Sequence, residues 1–187
     1  MKLPVDQKLI CKIDKKIIND ILKNIEESDW HIDDYRNKIF PDVNSIPIFH
    51  TTTCGDTPPL STIGKKPLFE KFYPLIFPIL DELKNHYNYN YHASVIAKLR
   101  PHGTIHPHED RGDFLTRCHR VHVPLQTNEK VVYWIAGEHY YWEVGNIYEF
   151  DNTLVHGVFN GGNQERIHLI LNLYNLPEEE LATLNKI

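Results

Sequence analysis

Apolar residues in the first ninety positions recur with helical spacing. Ile17, Ile18, Ile21, Leu22 and Ile25 follow an i, i+1, i+4, i+5, i+8 pattern, which predicts a helix over 14–28 with one apolar stripe laid on a core. Phe72, Leu75, Ile76, Ile79, Leu80 and Leu83 predict a second helix over 69–87, with Pro74 and Pro78 near its start or kinking it. Residues 29–68 are rich in Pro, Thr, Asp and Gly, and only a strand fragment over 46–52 stands out there. From Tyr91 onward the pattern changes to short β-rich runs at 93–99, 120–125, 130–135, 140–143, 147–150, 154–159 and 167–174, broken by turn residues at 101–103, 112–113, 145–146 and 160–163. Strands at this spacing predict an antiparallel sandwich or barrel. Residues 177–184 add a closing helical turn or two. With no internal repeat, low-complexity tract or flexible linker, the expected organisation is one domain over 1–187. Residues 1–90 form its helical and irregular support and residues 91–175 its barrel core.

Composition narrows the setting more than the chemistry. A chain of 187 residues, 41% of them hydrophobic, can bury one substantial core without staples. Cys11, Cys54 and Cys118 are odd in number, far apart and in no CxxC pair, which points away from a disulfide framework or a zinc knuckle and towards a reducing compartment. The first sixteen residues carry scattered charges, and no apolar run reaches membrane-spanning length, so a soluble, cytoplasmic protein without a signal peptide is expected. A net charge of −5 and the absence of a long Lys/Arg cluster give no electrostatic reason to expect nucleic acid as partner. Twelve histidines are the compositional oddity, and their placement carries the chemistry.

His108 and Asp110 stand two apart in the run Thr104-Ile105-His106-Pro107-His108-Glu109-Asp110. On an extended segment, residues i and i+2 project to one face, so an imidazole and a carboxylate there can reach the same ion. His156 lies in a strand-like run, Leu154-Val155-His156-Gly157-Val158. Two histidines and one carboxylate on one side of a metal leave three positions open, the facial arrangement of non-haem Fe(II) oxygenases. Taken alone, the triad is equally well read as a solvated loop pair and a hydrogen-bonded core histidine. Arg166, in Glu165-Arg166-Ile167-His168-Leu169-Ile170-Leu171, favours the metal reading. An inward-pointing Arg on a strand with one buried face is costly unless it receives a dicarboxylate through a bidentate contact; the alternative is an Arg snorkelling at a strand edge.

Four blocks, PHED, RVHVPLQTN, GNIYEFDNTLVHGVFN and RIHLILNLY, together resemble the aspartyl/asparaginyl β-hydroxylase family of Fe(II)/2-oxoglutarate-dependent oxygenases, closest to its small-molecule, free-proline hydroxylase branch. The resemblance covers about residues 93–175 and keeps the family's motif order. It implies a mainly β fold with flanking α-helices around a double-stranded β-helix, the jelly-roll or cupin-like core. His108 and His156 fall on the family's histidine ligands. Asp110 falls on the carboxylate of the proline-hydroxylase branch, a position that is glycine in the membrane-bound branch acting on epidermal-growth-factor domains. Arg166 falls on the arginine that pairs with the distal carboxylate of 2-oxoglutarate. Arg120 and His122 fall in an Arg-x-His block lining the co-substrate and substrate pocket. The implied enzyme is a dioxygenase that uses Fe(II), dioxygen and 2-oxoglutarate to hydroxylate an unactivated C–H bond of an amino acid or amino-acid side chain, releasing succinate and CO2. A peptide or protein Asp, Asn or Pro side chain is the alternative substrate, and a non-catalytic cupin-like metal module is the alternative class.

Several further residues carry weaker readings. His168, two after Arg166, is expected to share its strand face and add a hydrogen bond to the co-substrate. His106 and His102 read as surface histidines, and Arg117 and His119 as solvent-facing. Arg111 is open between an acidic substrate group and an ion pair with Glu109 or Asp113. Tyr133, Trp134, Tyr140, Tyr141 and Trp142 read as sheet core before substrate pocket. Asp151 and Asn152 read as a turn that positions the His156 strand. Trp30 and Arg36 are candidates for a lid over the barrel mouth.

Overall fold

The computed structural model describes residues 6–30, 39–51, 61–63 and 66–184. The first expected helix forms as α1, Lys15–Lys23, and its boundary is set by Asp14, whose Oδ1 accepts the Lys16 N–H at 2.8 Å. It ends sooner than the apolar pattern suggests. The chain leaves at Asn24 and makes a short 3-10 turn over Glu27–Asp29, where Asp29 Oδ2 accepts from both the Glu26 N–H and Lys71 Nζ.

The second helix, α2, Lys66–Leu83, starts earlier than expected and runs through both prolines. Pro74 and Pro78 lie on its exposed side. The amide hydrogens they lack would have met carbonyls on the solvent face, where water satisfies them, so the helix continues. Leu68, Phe72, Ile76, Ile79, Leu80 and Leu83 form the buried face.

Eleven strands follow the chain among the described residues: β1 Gln7–Lys12, β2 Val43–Thr51, β3 Ser61–Ile63, β4 Tyr91–Leu99, β5 Thr104–His108, β6 His119–Gln126, β7 Val131–Ile135, β8 Glu138–Tyr140, β9 Asn146–Phe150, β10 His156–Asn160 and β11 Arg166–Tyr174. Short helices α3, Asp113–Arg117, and α4, Glu178–Leu184, complete it. A seven-stranded antiparallel sheet runs β1-β9-β6-β11-β4-β2-β3, and a four-stranded one runs β5-β10-β7-β8. Tyr133 of β7 against His168 of β11, and Phe150 of β9 against His156 of β10, hold the sheets face to face. This is the mainly β jelly-roll that was expected, with helices on one side.

Strand alternation divides the large sheet by function. Val121, Val123 and Leu125 of β6, and Ile167, Leu169, Leu171 and Leu173 of β11, join Ile18, Ile21 and the α2 face in one buried cluster. The intervening residues, Arg120 and His122 of β6 and Arg166 and His168 of β11, point instead between the sheets. Leu99, Val131, Tyr133, Ile135, Trp142, Tyr148, Phe150 and Val158 make the second cluster there.

Two strands lacked a recognisable pattern. β1, with Lys at positions 8 and 12, gains its place only by pairing with β9, and β3 pairs only with β2. The run expected at 140–143 lies earlier, as β8, because Ala136 and Gly137 take the positive φ of a tight hairpin that returns the chain at once.

Candidate metal centre

The triad is assembled by one strand pairing. β5 and β10 are antiparallel, with His156 opposite His108 at the Cα level, and a bulge follows between His156 and Val158. A bulge beside a site re-aims side chains that a regular ladder would alternate. The two imidazole centroids are 4.4 Å apart. Asp110 lies just past β5, where its N–H donates to the Asn152 carbonyl at 3.0 Å. His108 Nε2 is 3.9 Å from Asp110 Oδ1, and ligand atoms of His108, Asp110 and His156 all lie within 4.8 Å of one another.

Hydrogen bonds prepare each donor. Nδ1–H of His108 donates to the His106 carbonyl and Nδ1–H of His156 to the Leu154 carbonyl, both at 2.8 Å. Carbonyl oxygens only accept, so both rings carry their proton on Nδ1 and leave the Nε2 lone pair for a cation. Asp110 Oδ2 accepts from Arg120 at 2.6 Å and from Asn152 Nδ2 at 3.0 Å, which leaves Oδ1 towards the histidines. Burial alone would raise the Asp110 carboxyl, but Arg120, His156, Asn152 and His108 together hold it below its ordinary value. Burial pushes His156 down to about 4, against the pull of Asp110. An ionised Asp110 carboxylate beside a neutral His156 imidazole suits the binding of a divalent metal. The Asp110 Oδ1 and the His108 and His156 Nε2 atoms, unclaimed by other residues, make this donor set fit Fe(II).

Deeper between the sheets, Arg166 is 2% exposed and has no carboxylate partner among the described residues. Its Nε donates to Tyr133 Oη at 2.9 Å and an Nη to His168 Nδ1 at 3.1 Å. His168 Nδ1 is thereby an acceptor, so its proton sits on Nε2 and goes to Tyr133 Oη at 2.8 Å. His122 Nδ1 lies 3.3 Å from His168 Nδ1 and must be the donor there. Two consequences follow from this proton order. The Tyr133 hydroxyl, already accepting twice, has its own hydrogen to give, and His122 Nε2 is a buried acceptor with no partner. Burial, and then the Arg166 charge, push both His122 and His168 well below the ordinary histidine value, which keeps both neutral. The guanidinium N–H groups left over from these two bonds and a hydroxyl donor, all buried between the sheets, suit a carboxylate, so the residues also fit the distal end of 2-oxoglutarate. Ring contacts from His168 to His122, His122 to Phe150 and Phe150 to His156 connect this anion pocket to the triad.

The other sequence-level candidates divide. His106 is exposed, and His102 is exposed and bonded to Asn163. Arg111 pairs with Glu109, and Arg117 with Asp113 and Glu180. His119 is not solvent-facing as expected: it lies 2.6 Å from the buried Glu149, because β6 turns it onto β9. Tyr133 and Trp142 stack at 4.0 Å in the buried cluster between the sheets, as expected of sheet core, whereas Tyr141 is exposed. Trp30 is no lid at the mouth, since its ring lies under Lys98 on the helical side of the large sheet. Arg36 lies outside the described residues. Sequence reasoning missed Asn152 as a partner of Asp110 and Tyr133 as a partner of Arg166. No local pattern marks either, because each contact joins segments far apart in the chain.

No helix among the described residues is long and apolar enough to cross a membrane. A family model described as Aspartyl/Asparaginyl beta-hydroxylase matches residues 60–175. No curated protein matches the chain in sequence. In fold, the chain is similar to a prolyl-4-hydroxylase from Pseudomonas putida, with a TM-score of 0.58 and 14% identity over 93% of this chain and 95% of that one. It is also similar to a Trichoplax adhaerens prolyl hydroxylase in complex with a hypoxia inducible factor peptide fragment, with a TM-score of 0.55 and 11% identity over 95% and 86% of the two chains. An oxidoreductase of the 2OG-Fe(II) oxygenase family from Burkholderia pseudomallei gives a TM-score of 0.54 at 12% identity, over 71% and 67%. The match spans more than half of the chain and includes His108, Asp110 and His156, so the protein belongs to the aspartyl/asparaginyl β-hydroxylase family.

Proposed function

We propose that residues 1–187 act as one oxygenase domain that hydroxylates a C–H bond of an amino acid, with His108, Asp110 and His156 holding Fe(II) and Arg166 anchoring 2-oxoglutarate. The observation that carries this reading is the buried Arg166 guanidinium, which has no acidic partner among the described residues and lies at the end of a ring-to-ring path from the triad. When bound, the iron would bring dioxygen, the oxidant, together with 2-oxoglutarate, which supplies two electrons as it is oxidised to succinate and CO2, while the substrate C–H bond supplies the other two.

The chain's own residues bind, orient and exclude water. His108 and His156 present Nε2 because backbone carbonyls hold their Nδ1 protons. Arg120 and Asn152 fix one carboxylate oxygen of Asp110, so the other is presented in a single direction. Arg166 and the Tyr133 hydroxyl receive the distal carboxylate of 2-oxoglutarate. His168 keeps that hydroxyl turned outward by donating to its oxygen, and the unpartnered His122 Nε2 lines the same pocket. Trp142 and Phe150 exclude water between the two sets.

Arg120 has a second task. Its Nε is a buried donor without a partner, which suits a substrate carboxylate arriving beside Asp110. That acid-binding feature favours a free amino acid, as in the small-molecule branch that the four motifs resemble. A peptide substrate is favoured by a different feature, the exposed Val155 and Phe159 on either side of His156, and one fold relative is itself bound to a peptide fragment. The test is an anaerobic Fe(II) and 2-oxoglutarate titration, followed by aerobic turnover with free proline, aspartate, asparagine and arginine and with short peptides. Succinate release coupled to a mass gain of one oxygen on a free amino acid is expected. Oxygen transfer to peptides alone would reverse the substrate preference, and loss of iron binding in neither His108→Ala nor His156→Ala would end the metal assignment.

A further inference from the structure

We propose that Cys11, Glu82 and His86 form a second metal site, separate from the iron centre, that takes a borderline-soft divalent cation of the Zn(II) type and ties β1 to the end of α2. Cys11 lies on β1, the edge strand of the seven-stranded sheet, which pairs only with β9. Glu82 is in the last turn of α2. His86 is one turn further on, where the His86 N–H and the Tyr87 N–H both donate to the Leu83 carbonyl. The i, i+4 spacing puts the carboxylate and the imidazole on one side of that end, and the side they share faces the strand.

The three ligand atoms lie within 4.8 Å of one another. His86 Nε2 is 3.3 Å from Glu82 Oε1, and Asn85 Nδ2 holds the other Glu82 oxygen at 3.3 Å. Zinc bonds of about 2.0–2.3 Å in a tetrahedron imply donor separations of roughly 3.3–3.8 Å, so modest side-chain rotation closes the set. Cys11 is half-buried while Glu82 and His86 are exposed, which gives an entry path and leaves the fourth position to water. Thiolate, imidazole and carboxylate together select a softer ion than the sulfur-free triad does. Burial, and then the neighbouring Glu82 charge, raise the Cys11 thiol, so a divalent ion has to displace its proton to bind there.

The consequence lies in the frame of the iron site. β1 pairs with β9, and β9 carries Phe150, whose ring contacts His156. A metal joining β1 to α2 therefore cross-links an edge strand, already packed on the core, to the helix beside it and steadies the β9 strand that carries Phe150.

Cobalt(II) separates the two centres, because only the new one offers sulfur. Titration of the metal-free full chain is expected to take up two equivalents, one of them with thiolate-to-cobalt absorption in the near ultraviolet. Cys11→Ser should lose that absorption and one equivalent while keeping iron-dependent turnover. His86→Ala, which retains the thiol, should bind the second equivalent at least about tenfold more weakly. Zn(II) should raise the melting temperature of the wild type more than that of Cys11→Ser. The proposal is overturned if the folded wild type shows no thiolate absorption, if the absorption survives Cys11→Ser, or if His86→Ala binds as tightly as the wild type. Failure of the iron assignment would remove only the sulfur-free equivalent, so the two outcomes are told apart.

Discussion

Replacing Arg166 by Met should separate stability from co-substrate binding. The guanidinium is 2% exposed, donates to Tyr133 Oη and His168 Nδ1, and meets no carboxylate among the described residues. Removing it loses two hydrogen bonds, each worth about 1 kcal/mol. It also removes an uncompensated buried charge, whose desolvation is unfavourable by several kcal/mol. The free protein is therefore expected to melt at the wild-type temperature or above it, with about 2–4 °C gained for each 1 kcal/mol. Binding behaves in the opposite way. Removing one member of a buried hydrogen-bonded charge pair costs about 2–5 kcal/mol, which is between about 30-fold and several thousand-fold in affinity. Calorimetric 2-oxoglutarate titration of the metal-loaded variant and the KM from succinate release measure that loss, and thermal melts of the metal-free protein measure stability. A variant that melts several degrees lower and keeps its affinity for 2-oxoglutarate would show that Arg166 is structural and refute the anion-pocket reasoning.

Other perturbations test the supporting contacts. Asn152→Ala removes the donors to Asp110 Oδ2 and to the Leu115 carbonyl, so metal affinity should fall about 10–100-fold, read by Mn(II) or Fe(II) titration, with the sheets intact by circular dichroism. Gly157→Ala would place a Cβ 2.9 Å from the Ile105 carbonyl oxygen and 3.2 Å from Pro107 N, so β5 and β10 must part; about 1–3 kcal/mol of stability and much of the metal affinity should be lost together. His92, stacked on Tyr73 and in tilted contact with Phe49, is pushed down to about 4 by burial. The unfolded chain then binds the proton more readily than the folded one. Stability from this residue is complete above about pH 6.5 and is lost as pH falls towards 4, with a ceiling of about 3 kcal/mol. His92→Phe should flatten urea stability between pH 7 and 5 relative to the wild type, and an unchanged pH slope would exclude His92 as its source.

Local spacing determined a good part of this protein in advance. Arg166 and His168 share a face because a strand repeats every two residues, His108 and Asp110 stand near enough in the chain to reach one ion although Asp110 lies past the end of β5, and the stripes of α1 and α2 are buried because a helix repeats every 3.6. The β-rich second half and the helical first half were legible for the same reason. Where contacts join distant segments, period says nothing. The His156–His108 register and its bulge, Asn152 and Arg120 on Asp110, Tyr133 on Arg166, and β1 at the sheet edge were decided only when the strands paired. The two prolines of α2 belong with these, since their tolerance depends on which helical face the packed core leaves to solvent. A sequence states which residues can share a side of an element. Only folding chooses which side of another element they meet, because that choice is made by long-range burial and hydrogen-bond satisfaction acting together.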